Sequence, residues 1–538
     1  MKRKSMALLL CVCLLFSCTA CQSEQDDIYS QALADQSESS LLEPTSSNPF
    51  GDIDYDDPDY IGSPSPEPDA QLTPAPDDDL SGQLVIRSFV QSRDPSDLYW
   101  LAREFMELHP QVTVLLDFEV KYSQNPSSEE LQMMRDSYYA NLRMELTSGE
   151  ADYLLYGTAQ DIDYTSLARS GVIEDLRPYW ENDPEILEED YFMPVIEAFS
   201  VDGMFSVIPY AFYLNGTWFD KKLLTEAGVD PAEVNAVDAE KILTWYETAR
   251  EQSPDLQLFF TAQGKEILFP REAVRYIDLE NRTASFQSPE FVEFLERSRN
   301  VINEETDPEL VRWGTPDYME AALCYHDTGK VPAEVQNNYD AGFPIGMNVI
   351  TKSRDSFAIM GEMNIYDSIT MYQQPYTYLA GPYPVSSSDG HLAVETGQEE
   401  FMMPTSVKNK DLAWEFIKYC LSEREELTFD RYGYTGSGYY TDLQIPVNKA
   451  NYGQMAEDAT LPGSGHSVSG IEIVNFEPVE GEKIIAFMES LLQNSPVDLG
   501  KYNLNVDDYL EEFYVNEITT PEECAQKIQG RAEIWLNE

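Results

Sequence analysis

The sequence predicts an α/β protein in which strands alternate with helices. A buried strand candidate at 84–86 is followed by apolar residues at helical spacing, and then by a second apolar strand at 112–116. A further amphipathic stretch leads to a third strand candidate at 153–156. A strand–helix–strand unit places its two strands parallel in one sheet with the helix packed on its face. We therefore expect a parallel sheet covered by helices, with a similar α/β mixture continuing to the C-terminus.

The first helix is predicted from Leu98, Leu101, Phe105 and Leu108, with Pro110 just beyond its end. The second is predicted to begin with a capping box and to end at Gly149, which favours a left-handed helix terminus. The capping box consists of Ser127 and Glu130, and the apolar face consists of Leu131, Met134, Tyr138, Leu142 and Leu146.

The last helix has the same kind of start signal. Thr520 and Glu523 form a capping box, and Pro521 occupies the first helical position, where no backbone N–H is needed. Its predicted inner face consists of Ala525, Ile528, Ala532 and Trp535.

The N-terminal residues have the pattern of an export signal. Three basic residues at 2–4 precede an apolar run at 6–20, which is short for a membrane span and typical of a signal peptide. Small residues before Cys21 resemble the processing site of bacterial lipoproteins, so we expect a signal peptide at 1–20 and a lipid on Cys21. Cys18 is a competing lipidation site, and a plain secretory signal is the alternative.

Residues 21–80 have a different composition from the rest. From 22 to 80 the chain has sixteen Asp and Glu, eight Pro and no Lys or Arg. Such a segment cannot bury enough apolar surface to offset the entropy lost on ordering. We interpret it as a disordered tether. Its acidic residues lack the glycine and distal glutamate of a calcium loop.

The overall charge excludes one class of partner. The chain has 35 Lys and Arg against 96 Asp and Glu, a formal net charge of −61, so nucleic acid is a poor partner. Cys324, Cys420 and Cys524 are three scattered cysteines that do not form a disulfide framework, and none of them shows metal-ligand spacing. We expect no cofactor, no metal and no catalytic residue.

Several segments resemble, in order, those of the extracellular solute-binding proteins of ABC importers, the family 1 group that includes the maltodextrin-binding protein. The resemblance extends from about Gly82 to Glu538. Its clearest parts are residues 82–86, 105–110, 148–153, 167–176, 209–224, 408–418 and 445–449. The segment 148–153 lacks the usual proline, and Phe219 and Asp220 replace the common Tyr and Asn.

This resemblance implies a periplasmic-binding-protein-like fold of type II, with two lobes joined by a hinge. One lobe would take 81–208 and 383–422, and the other 209–382 and 423–538. It also implies that a solute is bound between the lobes and handed to ABC permease subunits. We expect a monomer, lipid-anchored at the extracellular face of a cell membrane, with a Gram-positive cell favoured over a Gram-negative one.

Candidate ligand contacts lie where strands end, because ligands of open α/β sheets bind beyond the carboxyl ends of strands. By the resemblance, Tyr156, Asp161 and Tyr213 match or lie near positions that contact sugar. Aromatic faces and planar polar groups suit sugars, so a carbohydrate or oligosaccharide is favoured over a peptide. The full candidate set is Ser88, Gln91, Tyr156, Asp161, Tyr210, Tyr213, Trp218 and Trp313. Core packing is the favoured alternative for Trp218 and Trp313.

Two other functions stay open. A surface-anchored hydrolase is suggested by residues 465–469, which approximate a nucleophile elbow but end in serine instead of glycine. Glycoside hydrolysis would need a pair of carboxylates, but such pairs are so common in this acidic chain that they do not favour a hydrolase. An adhesin-type lipoprotein would account for the anchor and tether, but not for the ordered resemblance.

Overall fold

A computed structural model gives the architecture of the chain. The residues it describes all lie within one compact unit, Pro68–Glu538. They are 80–90, 97–120, 128–159, 161–254, 256–259, 264–278, 281–302, 356–374, 379–386, 390–397, 399–423, 444–461, 466–468, 472–474, 476–499 and 504–537. The predicted signal peptide, Cys21, the tether, Ser127, Trp313 and Cys324 lie outside the described residues.

The first sheet, sheet 1, contains the strands predicted near the start of the folded region. Its order is β2-β1-β3-β12-β4. Strand β1 pairs in parallel with β2 and with β3, whereas β12 is antiparallel to both β3 and β4. The strands are β1 (Gly82–Val90), β2 (Val112–Val120), β3 (Leu154–Tyr156), β4 (Ile208–Pro209) and β12 (Glu400–Met402). The predicted parallel pairing is therefore confirmed.

Six helices accompany sheet 1. Five of them precede β4 in the sequence, and one follows it. They are α1 (Asp97–Leu108), α2 (Ser128–Ser148), α3 (Tyr164–Arg169), α4 (Arg177–Asn182), α5 (Met193–Ala198) and α11 (Lys410–Leu421). The predicted apolar face of α1 is buried, with Leu98 and Leu101 at 0% exposure and Phe105 at 1%. Gly149 follows α2 with φ +74°, as its position at a helix end predicts.

The second sheet, sheet 2, is mixed and is organised around one long strand. Its order is β16-β11-β5-β9-β6, and both β10 and β13 also pair with β5. Every partner of β5 is antiparallel to it. The strands are β5 (Ala211–Asp220), β6 (Gln257–Phe259), β9 (Ser356–Met363), β10 (Leu379–Pro384), β11 (Leu392–Glu395), β13 (Ile445–Pro446) and β16 (Val497–Leu499).

Sheet 2 is packed on both faces. Successive residues of a strand point to opposite sides of a sheet, and here each side faces a different hydrophobic core. Trp218 belongs to the larger hydrophobic core, which continues through sheet 1, and its neighbour Phe219 belongs to a second core. The helices on the side of the larger core are α10 (Ile365–Gln373), α12 (Lys449–Ala459) and α13 (Gly481–Asn494). Those of the second core are α6 (Lys221–Glu226), α7 (Ala239–Arg250), α8 (Gly264–Val274), α9 (Pro289–Ile302), α14 (Asp507–Leu510) and α15 (Pro521–Asn537).

Helix α15 confirms the prediction for the C-terminal helix. The Thr520 hydroxyl oxygen accepts from the Glu523 backbone N–H at 3.2 Å, and the Glu523 carboxylate accepts from the Thr520 N–H at 3.0 Å. Ala525, Ile528 and Ala532 are at most 1% exposed, and Trp535 is 5% exposed.

Short elements complete the described chain. They are the 3₁₀ turns Glu188–Asp190 and Pro231–Glu233, the π-helical turn Glu511–Val515, and two hairpins, β7 (Ile277–Asp278) with β8 (Thr283–Ala284) and β14 (His466–Val468) with β15 (Glu472–Val474). Among the described helices, none is long and apolar enough to cross a membrane.

The strands that the structure describes show three passages of the chain between the two sheets. It leaves sheet 1 between β4 and β5, returns between β11 and β12, and leaves again between α11 and β13. The second passage corrects one predicted boundary, since β10 and β11 both pair with β5. Strands β10 and β11 therefore belong with sheet 2, and the return to sheet 1 comes between Glu395 and Glu400 instead of at 383. The other boundaries of the two lobes stay predictions.

Candidate functional site

The passages between the sheets converge on one place. The Tyr210 N–H donates to the Glu399 carbonyl at 2.9 Å, and the Tyr210 carbonyl accepts from the Val447 N–H at 3.0 Å. The Gly157 N–H donates to the Glu400 carbonyl at 3.2 Å. Polar and aromatic side chains from both sheets surround this point. We call them the crossover cluster, consisting of Tyr156, Thr158, Tyr210, Tyr213, Asn215, Arg271, Glu395, Thr396, Glu399, Glu400 and Gln444.

Two predicted tyrosines, Tyr156 and Tyr210, lie together in this cluster. Their hydroxyl oxygens are 3.1 Å apart, and their rings are stacked with centroids 6.5 Å apart. Both rings also contact Phe401, with centroid distances of 5.4 Å and 5.8 Å. Only 4% of Tyr156 and 7% of Tyr210 is exposed. The ring faces thus pack in the core, and the hydroxyls are the polar groups that this pair offers.

Tyr213 and Glu395 bring the sheet 2 side of the cluster together. They are opposite one another in the pairing of β5 with β11. The Glu395 carboxylate accepts from Asn215 Nδ2 at 2.8 Å and from Arg271 Nη2 at 3.2 Å. The Arg271 and Glu395 side chains are only 10% and 9% exposed. The result is a buried ion pair that links helix α8 to the end of strand β11.

The connection from β11 to β12 packs tightly against Tyr213 and Gln444. The Gln444 amide donates to the Glu399 carboxylate. A Cβ added at Gly397 would lie 3.2 Å from Tyr213 Cε2 and 2.8 Å from a Glu399 carboxylate oxygen. A larger residue at 397 would therefore displace the side chains of the cluster.

Glu400 is the most deeply buried carboxyl group here, with 1% of the residue exposed. Its Oε1 accepts from the Ala159 N–H at 3.0 Å. Burial, with a smaller contribution from the negative charge of Asp161, raises the pKa of Glu400 to about 7. A carboxyl group with this pKa is only partly ionised near neutral pH.

Four buried oxygen atoms around the connection have no hydrogen-bond partner among the described residues. They are Thr158 Oγ1, Asn215 Oδ1, Glu400 Oε2 and Gln444 Oε1. Leaving a buried polar atom unsatisfied costs about 1–3 kcal/mol. A molecule with hydrogen-bond donors, bound beside the cluster, would remove that cost.

Asp161 lies next to the cluster but is already engaged. Its carboxylate accepts from Arg135 Nη1 at 2.8 Å and from the Tyr139 hydroxyl at 2.7 Å. Burial and then the charge of Asp161 raise the pKa of Tyr139, so its hydroxyl stays protonated and donates. Asp161 therefore anchors helix α2 beside β3.

Two other predicted ligand contacts, Ser88 and Trp218, are not part of the crossover cluster. Ser88 lies within β1 opposite Phe118 and is 1% exposed. Trp218 is 1% exposed and belongs to the larger core, which is the packing role that the sequence favoured for it. Gln91, Trp313 and Cys21 are outside the described residues.

Sequence reasoning missed Glu395, Glu399, Glu400 and Arg271. The three glutamates occur within six residues around Gly397, but 96 acidic residues make one such group inconspicuous. Arg271 is 124 positions from its partner, and only the fold brings the two together.

A separate groove of about 670 Å³ lies between α11 and the start of α12. Although burial alone would lower the pKa of its Lys418, the carboxylates of Glu185, Glu415 and Asp183 raise it, so the ammonium stays charged.

Within the described ranges, no three His, Cys, Asp or Glu side chains are arranged to hold a metal ion. Of the nucleophile elbow suggested at 465–469, Gly465 and Ser469 lie outside those ranges, and His466–Val468 form strand β14.

No family model matches the chain, and no curated protein matches it. Solved structures with similar backbones include an extracellular solute-binding protein of family 1 from Alicyclobacillus acidocaldarius, at 14% identity and TM-score 0.46, covering 86% of this chain and 100% of that one. An ABC substrate-binding protein from Listeria monocytogenes, in complex with cycloalternan, is 16% identical with TM-score 0.44, covering 84% and 98%.

A periplasmic solute-binding protein from Pectobacterium atrosepticum is 13% identical with TM-score 0.48, covering 85% of this chain and 99% of that one. These proteins are of the class that the sequence motifs resemble. With TM-scores below 0.5, the likeness says nothing about the ligand of this chain.

Proposed function

We propose that this chain is an extracellular substrate-binding lipoprotein that captures a solute, a carbohydrate, beside the crossover cluster and delivers it to an ABC permease. The observation that carries the proposal is that passages between two sheets converge on a buried polar cluster. A ligand held there would contact residues of both sheets at once.

The arrangement supports capture by closure. Tyr156 and Glu400 belong to sheet 1, whereas Tyr213 and Glu395 belong to sheet 2. The connection between β11 and β12 is only Thr396–Glu399, so a change of angle between the sheets would be concentrated in a few residues. A ligand that favours one angle would shift the population toward it, which a permease could recognise.

The chemistry of the cluster suits a hydroxylated solute. Tyrosine hydroxyls, carboxamides and carboxylates can form hydrogen bonds with the hydroxyl groups of a sugar. The function needs no catalytic step, because binding and release are the whole task. The lipid on Cys21, the tether at 21–80, the extracellular location and the monomeric state belong to the same proposal.

A thermal-shift screen of the full chain tests this function. The solutes would be mono- and oligosaccharides, amino acids, short peptides and polyamines. Binding to the native state adds about 2.7 kcal/mol of stability when the free ligand is at 100 times its Kd, so Tm should rise with a sugar. Small-angle scattering should show a smaller radius of gyration with that sugar.

The matched variants are Tyr213→Ala in the cluster and Tyr372→Ala on helix α10, where Tyr372 is exposed. We expect the shift to disappear in the first variant and to remain in the second. A shift with peptides and none with sugars would contradict the carbohydrate assignment. Binding that survives Tyr213→Ala at full strength would place the site elsewhere.

A further inference from the structure

The side chain of Glu400 lies at one end of a short connection between the two sheets. Glu395 is the last residue of β11, in sheet 2, and Glu400 is the first residue of β12, in sheet 1. Only residues 396–399 separate them. Because so few residues join the sheets here, a change of angle between the sheets must turn the backbone of this connection.

The Glu400 carboxyl is enclosed by the connection and by the loop that follows β3. Glu400 is 1% exposed, and its Oε1 accepts from the Ala159 N–H at 3.0 Å. Thr396, at the sheet 2 end of the connection, lies beside the carboxyl and is also 1% exposed. Rotation of the backbone between Thr396 and Glu400 would move these two side chains relative to one another. The exposure of the carboxyl to water therefore depends on the conformation of the connection.

The surroundings of Glu400 do not compensate for a negative charge. Asp161 is a nearby charged group that acts on Glu400, and it is itself negative and paired with Arg135 at 2.8 Å. On the adjacent strands β3 and β4, the titratable side chains are Tyr156 and Tyr210, whose hydroxyl oxygens are 3.1 Å apart. Among the residues that the structure describes, no Lys, Arg or His forms an ion pair with Glu400.

The other charged groups at the connection have partners of their own. Glu395 accepts from Arg271 at 3.2 Å in a buried ion pair, and Glu399 accepts from the Gln444 amide. An ionised Glu400 would thus have lost its hydration without gaining a cation, whereas the protonated carboxyl costs much less to bury. Burial accordingly raises the pKa of Glu400 to about 7, against the lowering effect of the Ala159 N–H.

We propose that Glu400 is a proton-dependent switch that controls the connection between the two sheets. Protonation favours the arrangement seen in the structure, and ionisation favours one in which the connection turns and water reaches the carboxyl. This inference rests on the proposed function in one respect, since the movement that becomes dependent on pH is the closure by which a solute would be captured.

Acid favours the arrangement of the structure, because the buried carboxyl binds its proton more tightly than a hydrated one. The pKa is about 7 when the group is buried and about 4.5 in water. The stabilisation is therefore complete below pH 4.5, is lost as pH rises to 7, and changes little above that. If turning of the connection restores the ordinary pKa, the ratio of the two arrangements falls about seventyfold between pH 5 and pH 8.

Hydrogen exchange of the full chain, followed by mass spectrometry, tests the switch without a ligand. The N–H groups of Gly157 and Ala159 both donate to Glu400, so peptides that contain them report on its surroundings. After correction for the intrinsic effect of pH on exchange, protection of these amides should fall at least about tenfold between pH 5 and pH 8.

Glu400→Gln should remove this dependence on pH. Glutamine can accept the same hydrogen bond without titrating, so protection should stay near the value of the parent chain at pH 5. The matched control is Asp367→Asn. Asp367 is another carboxyl whose pKa burial raises to about 7, but it lies in the capping box of helix α10. This control should keep the loss of protection at Gly157 and Ala159.

Small-angle scattering of the same proteins separates movement of the sheets from local fraying. The radius of gyration of the parent chain and of Asp367→Asn should differ between pH 5 and pH 8. That of Glu400→Gln should keep its pH 5 value at both. Tm of each variant checks folding, and Glu400→Met, which also cannot titrate, replaces Glu400→Gln if the latter does not fold.

The outcomes separate the switch from the function beneath it. Protection that is independent of pH in the parent, or that falls equally in the variant without a titrating side chain at 400, would overturn the inference and leave solute capture standing. Falling protection at a constant radius of gyration would also overturn it, because only the local structure would then open. A thermal-shift screen in which no sugar binds would contradict the carbohydrate function, while the switch would still be decided by these two measurements.

Discussion

Individual carboxyl groups in this chain behave according to their burial and not to its overall acidity. Asp367 is fully buried in the capping box of helix α10, where its Oδ2 accepts from the Asn364 N–H at 3.1 Å. Its Oδ1 has no partner among the described residues. Burial raises the pKa of Asp367 to about 7. Near neutral pH this side chain is therefore only partly ionised.

Asp367→Asn should stabilise the protein at alkaline pH. The folded chain binds the Asp367 proton more tightly than the unfolded chain, so its contribution is complete below the unfolded pKa, near 3.8, and is lost as pH rises through about 7. Asparagine can accept the same hydrogen bond without titrating. The gain over the parent should grow from pH 5 to pH 8, reaching on the order of a few kcal/mol.

Urea denaturation at both pH values measures that gain. The control is Asp411→Asn on the exposed first turn of α11, which should show no comparable dependence on pH. A difference between Asp367→Asn and the parent that stays constant with pH would show that Asp367 does not titrate in this range.

At this scale, the sequence could identify candidate side chains but not their surroundings. Tyr156, Tyr210 and Tyr213 do lie where the passages between sheets meet, as their positions at strand ends suggested. Whether a given Tyr presents its ring face or its hydroxyl depends on neighbours such as Phe401, which is 245 positions from Tyr156 in sequence.

Among the elements, the polar residues that begin helices also connect them. Asn448 is the N-cap of α12, and its Oδ1 accepts from the backbone N–H groups of Ala450 and Asn451 at 3.0 Å and 3.1 Å. Its Nδ2 donates to the Leu421 carbonyl, the last residue of α11, at 3.2 Å. One buried side chain thus fixes the start of one helix to the end of another.

Asn448→Ala should destabilise the chain by about 1–3 kcal/mol, because it removes the cap and leaves the buried Leu421 carbonyl without this donor. Asn448→Ser keeps a capping oxygen and should recover roughly half of the loss. Chemical denaturation of both variants checks this. Equal losses in the two would show that the cap contributes little and that the bond to Leu421 dominates.

The sequence predicted the local elements better than their partners. Apolar periodicity and caps located α1, α2 and α15, because helices are specified by residues close together in the chain. Strand β12 has three residues and lies between β3 and β4, more than 190 positions earlier. No local signal identifies such a pairing, which is why the second passage was expected at 383.

On the scale of the whole molecule, composition changes abruptly at the start of the described region. The acidic, proline-rich residues 22–80 contrast with a chain that buries two hydrophobic cores beyond them. From this composition we predict that only the second part has enough apolar surface to fold.

Limited proteolysis of the full chain should cut first between residues 22 and 80. A fragment that begins near residue 80 should survive many times longer, because its backbone is hydrogen-bonded in sheets and helices. Glu-C and thermolysin together provide cleavage sites in the acidic and the apolar parts. Mass spectrometry identifies the first cuts. A protected peptide within 22–80 would contradict the assignment of this segment as a tether.

The position of β12 also determines when sheet 1 can be completed. A ribosome that has made the first 300 residues has made β1, β2, β3 and β4, but not the strand that lies between β3 and β4. Until residue 402 has emerged, the nascent chain lacks the strand that joins β4 to the rest of sheet 1. Such long-range pairing is slow to form, so sheet 1 can be completed only after about three quarters of the chain has been made.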